Sequence, residues 1–163
     1  MGDDTTPDLR LDPATERALA VALYNHAWAL LETPDRTAAQ TDEMIHAAHA
    51  SRHHWSRVGW GRVGDPANLA RGEWQCSRIY AVLERGEPAL WHARRCVEIL
   101  ETAGIGDWDI AAACEAMARA SAAAGDFEAA RAWVERGQAA CTAIADADDR
   151  ELIESDLASI PLE

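Results

Sequence analysis

Four of the six histidines of this 163-residue chain crowd into one stretch, Glu43-Met44-Ile45-His46-Ala47-Ala48-His49-Ala50-Ser51-Arg52-His53-His54. A helix turns about 100° per residue, so Asp42, His46, His49 and His53 fall on one continuous stripe, with Glu43 and His54 on a ridge beside it. Metal ligands carried by one helix need i, i+3 or i, i+4 spacing for their side chains to converge. His46 with His49, and His49 with His53, meet that requirement. The candidate metal set is therefore Asp42, Glu43, His46, His49 and His53. Imidazole with carboxylate suits zinc, or iron, manganese or nickel with water completing the shell. The competing reading is structural. Met44, Ala47, Ala48, Ser51, Trp55 and Val58 mark a core face nearly opposite this stripe, which leaves the histidines solvated or lining a groove. A one-helix cluster also needs a ligand from elsewhere. His26 is the obvious histidine for that, but its neighbours Leu19, Leu23 and Leu30 place it in a core.

A second chemistry overlaps the first. Arg52, His54, Arg57, Trp60 and Arg62 make a cationic, aromatic segment in an acidic protein. Arginine holds carboxylates bidentately and tryptophan offers a stacking platform, so this segment suits an anionic small molecule or an acidic peptide. The same residues could equally neutralise the chain's own acidic ends. His92 and Cys96 are i, i+4, the spacing of a thiol–imidazole pair. Cys96 also occupies a small-residue packing position, as a small hydrophobe would, and no residue is assigned a catalytic role. All 15 basic residues are arginine, which removes any chemistry that needs a lysine Schiff base or a phosphate-binding-loop lysine.

The elements that must position these groups are helices. Alanine and leucine dominate, β-branched residues are sparse, and no stretch shows strand alternation. Asp12-Pro13 opens a helix to about Glu32, and a second spans Thr37 to Val58. Asp65-Pro66 opens a third, to about Arg85, closed by Gly86; a fourth runs from Pro88 to Ala103, with Gly104 as its left-handed terminus. Asp107 caps a fifth helix to Ala124, Gly125-Asp126 breaks the chain, and a sixth covers Phe127 to about Ala145. An acidic helix over 148–159 caps the end. Breaks this short force antiparallel neighbours.

Within Ala111–Ala140, the small residues Ala118 and Ala130, the Gly125-Asp126 turn and Gly137 at the helix crossing resemble a tetratricopeptide repeat. Gly72–Leu100 is a weaker second copy, with Gly86 at its turn and Ala89, Ala93 and Cys96 following. The two copies are offset by about 40 residues, against about 34 in that family, the surplus lying at Gly104–Asp109. The whole chain is similar to small bacterial tetratricopeptide-like proteins. That resemblance implies an all-α stack of antiparallel hairpins, a short right-handed superhelix of about seven helices. It implies no catalytic residue.

The formal charge of −13 is concentrated at the ends. An acidic segment 1–12, expected to be flexible, precedes a single helical domain over 13–163. Acidity argues against nucleic acid and an anionic membrane surface. The absence of a long apolar run or a signal-type N-terminus, with four scattered cysteines, points to a reduced, cytoplasmic protein. The leading expectation is a non-enzymatic module that binds a protein or peptide partner, with a homodimer left open and no cofactor. The alternative is a metal-binding helical protein that uses the histidine stripe.

Overall fold

The computed structural model describes residues 11–58 and 65–163. Seven helices follow one another: α1 Pro13–Glu32, α2 Ala38–Trp55, α3 Pro66–Val82, α4 Gly86–Ala103, α5 Trp108–Ala123, α6 Phe127–Cys141 and α7 Ala147–Ala158. No strand occurs among the described residues, and no helix there is long and apolar enough to cross a membrane. Three antiparallel hairpins, α1·α2, α3·α4 and α5·α6, stack side by side, and α7 closes the far end against α5 and α6. The acidic segment before Leu11, Trp60 and Arg62 lie outside the described residues.

Local chemistry accounts for the helix starts. Asp12 accepts from the amides of Ala14 and Thr15 with Pro13 in the first turn, and Thr37 and Gln40 form a reciprocal capping box. Such caps contribute about 1 kcal/mol each. Gly104 takes φ 66°, and the Ile105 amide donates to the Leu100 carbonyl at 3.0 Å, which closes α4 with a left-handed residue. α5 is buried on nearly every side, and its alanines let α3, α4 and α6 approach closely.

Gly86 acts differently from its expected role as a helix stop. It is the first residue of α4, and Glu84 at φ 57° supplies the turn instead. The glycine is required by proximity: a Cβ there would lie 2.5 Å from the Ala124 Cα and 2.6 Å from its nitrogen. Backbone cannot yield as a side chain can. We expect Gly86→Ala to destabilise the fold by about 1–3 kcal/mol despite alanine's better helix propensity. A thermal melt monitored by circular dichroism should show Tm lowered by roughly 2–10 °C; an unchanged or higher Tm would refute the close-approach account.

Candidate metal centre

Sites on α2 are decided by which side of it meets α3. Met44, Ala47, Ala48, Ser51 and Trp55 are buried, as the periodicity requires. His46 and His53 are exposed, and so are Asp42 and Glu43. His49, at the border of the core face, is half-buried and turned toward α3. Its Nε2 lies 2.9 Å from the Tyr80 hydroxyl. The stripe is therefore divided: no three of Asp42, Glu43, His46, His49 and His53 bring ligand atoms together. His26 is exposed rather than in a core, and its Nε2 lies 2.8 Å from Glu43 Oε1.

The cationic segment is held by internal carboxylates. Glu16, 2% exposed, accepts from His54 Nδ1 at 2.6 Å and Arg57 Nε at 3.2 Å. The His54 hydrogen bond holds the Glu16 carboxyl below its ordinary 4.5, against the upward push of burial. A carboxyl lowered in the folded state contributes stability that is complete above its unfolded value and is lost as pH falls through the folded one. We therefore expect urea stability to decline below about pH 4.5 more steeply in the wild type than in Glu16→Gln. Parallel pH profiles for the two would contradict this.

Arg52 leads elsewhere, to a polar cluster buried between α2, α3 and α4. Its stem crosses α3 at Gly72, where a Cβ would come within 2.8 Å of Arg52 Cδ. Its Nε donates to Glu73 Oε1 at 2.8 Å, and His92 Nδ1 donates to Glu73 Oε2 at 2.6 Å. Burial pushes the Glu73 carboxyl up, but His92 and Arg52 outweigh it and hold the group below its ordinary value. Glu73 is thus an ionised carboxylate at 5% exposure with both oxygens committed. Because His92 spends Nδ1–H on it, His92 keeps Nε2 free to act as a ligand.

His49, Cys76 and His92 each bring one potential ligand atom within 4.8 Å of the others, and they form the one such group of three among the described residues. Tyr80 frames it, its ring parallel to His92 at 5.7 Å and edge-on to His49 at 5.7 Å. Burial and the neighbouring His92 lower the pKa of His49 and favour its neutral, metal-binding form. A tetrahedral zinc ion with Zn–N of about 2.0 Å and Zn–S of about 2.3 Å sets its ligand atoms roughly 3.3–3.6 Å apart. The three donors must therefore close by up to about 1.5 Å to bind such an ion.

The same residues also contain a nucleophile–base–carboxylate arrangement, Cys76, His92 and Glu73. Cys76 is 1% exposed, and burial pushes its thiol up to about 12. A protonated, inaccessible thiol is no nucleophile, whereas a metal ion replaces its proton directly. Cys96, the i, i+4 neighbour of His92, is likewise buried and shifted upward.

Of the candidate ligands on the histidine stripe, only His49 joins this cluster. Residue type and spacing along the chain did not single out Glu73, Cys76 or Tyr80. The available signal was a glutamate in the buried half of α3, three residues before a cysteine and seven before a tyrosine, all on one helix face. No family model matches the chain, and neither a curated protein nor a solved structure matches it.

Proposed function

We propose that this chain is a metal-binding helical protein on a tetratricopeptide-like scaffold, holding a transition-metal ion between His49, Cys76 and His92. The observation that carries the reading is the convergence of two imidazoles and a thiol from three helices, with Glu73 fixing the tautomer of His92. One thiolate and two imidazoles favour zinc or copper(I) over magnesium, calcium or manganese. Buried carboxylate–histidine pairs are the usual second layer of such sites. This reading ranks ahead of a partner-binding module because Arg52, His54 and Arg57 are already satisfied by Glu73 and Glu16.

Titration with cobalt(II), a spectroscopic substitute for zinc, tests it. One equivalent should bind with tetrahedral d–d absorption and a sulfur-to-cobalt charge-transfer band. Cobalt bound without a sulfur band would defeat the assignment. In Glu73→Gln, His92 loses its anionic acceptor, and we expect metal affinity to fall about 10- to 100-fold. Equal affinity in the two proteins would remove Glu73 from the site.

A further inference from the structure

The donors of this cluster are three, and a four-coordinate ion needs a fourth. No further histidine, cysteine, aspartate or glutamate joins the group among the described residues. Outside the described residues, segment 59–64, Gly-Trp-Gly-Arg-Val-Gly, contains none of these residue types, whereas 1–10 contains Asp3, Asp4 and Asp8. Two polar neighbours are already committed. Glu73 spends both oxygens on Arg52 and His92, and the Ser77 hydroxyl donates to the Ala89 carbonyl at 3.0 Å.

The site is also unequal in depth. Cys76 lies on the floor at 1% exposure, while His49, His92 and Tyr80 are half-buried at the rim. The least buried side of the group is therefore the one that carries His49, His92 and Tyr80. Three protein ligands with an outward fourth position is the pattern of metal sites that take an exchangeable ligand; closed structural sites use four. The Tyr80 hydroxyl stands at that rim, 2.9 Å from His49 Nε2. A phenol has one donor and two acceptor sites; with His49 ligating through Nδ1, its Nε2–H donates to the Tyr80 oxygen, and the Tyr80 O–H stays free for a second partner.

Resting on the metal reading above, we infer that the fourth coordination position belongs to a small exogenous donor, water or a monoanion, steadied by a hydrogen bond from the Tyr80 hydroxyl. The site is then an open one that binds small ligands through its metal.

Azide added to the cobalt(II)-loaded protein tests this. The expected result is a saturable change in the d–d bands of the wild type. In cobalt-loaded Tyr80→Phe, which keeps the ring stacked on His92, azide should bind about tenfold more weakly, the loss of one hydrogen bond. A wild-type spectrum insensitive to azide would overturn the inference while leaving the metal reading intact, because the fourth position would then be closed by the protein. Equal azide affinity in both proteins would remove Tyr80 from it. Failure to bind cobalt at all would overturn the metal reading and this inference together.

Discussion

Replacing Glu115 by alanine should cost about 3–5 kcal/mol of stability, the effect of leaving buried cations without their partner. Glu115 sits on α5 with no exposed surface and accepts from Trp74 Nε1 at 2.9 Å and Arg78 Nη1 at 2.7 Å, and also from Arg119 Nε. The two arginines then reach α7: Arg78 bonds Asp156 Oδ1 at 2.8 Å, and Arg119 bonds the Asp156 carbonyl at 2.9 Å and the Ser159 hydroxyl at 2.8 Å. One carboxylate therefore ties α3, α5 and the capping helix into a single network. Alanine would strand the Trp74 indole N–H as well as half the charge compensation of Arg78. With a urea dependence of about 2 kcal/mol per molar, the unfolding midpoint should drop by roughly 2 M. Glu115→Gln, which still offers an acceptor to Trp74, should fall between the two proteins. A loss below about 1 kcal/mol in the alanine variant would show that the network is dispensable.

The second large effect is the response to metal. A ligand that binds only the folded state at a hundred times its dissociation constant adds about 2.7 kcal/mol. For a chain of this size that raises Tm by roughly 5–10 °C. The three donors come from two hairpins, His49 from α2 and Cys76 and His92 from α3 and α4, so an ion there resists their separation. Cys76→Ser has nearly the same volume but no accessible thiolate, and we expect it to keep the metal-free Tm within a few degrees while losing the zinc-induced rise. A rise of equal size in the serine variant would place the bound zinc elsewhere, with His26 and Glu43 the first pair to substitute next.

Much of the architecture is legible without coordinates because it is written in local chemistry. Asp12-Pro13, Asp65-Pro66, Gly104-Ile105 and Gly125-Asp126 each act within a few residues, and each marks a helix boundary where periodicity places it. The core face of α2 was equally plain, since burial of Met44, Ala47, Ala48, Ser51 and Trp55 follows from helical spacing alone. Gly86 shows the limit of that reasoning. Its turn position was visible, but its purpose depends on Ala124, 38 residues later in the chain.

The candidate site lies beyond the same limit. The sequence by itself determined that the chain is helical, that its helices pair as hairpins, and that α2 carries histidines along one stripe. It could not rank those histidines, because 100° per residue treats His46, His49 and His53 alike. Tertiary packing ranked them: α3 lies along one border of the stripe, so His49 meets Tyr80 while His46 and His53 stay in solvent. Packing also brought in Cys76 and His92, which lie 27 and 43 residues from His49 and share no periodic relation with it. Helical spacing specifies neighbours on one helix, and a site assembled from three helices is specified only by how those helices cross.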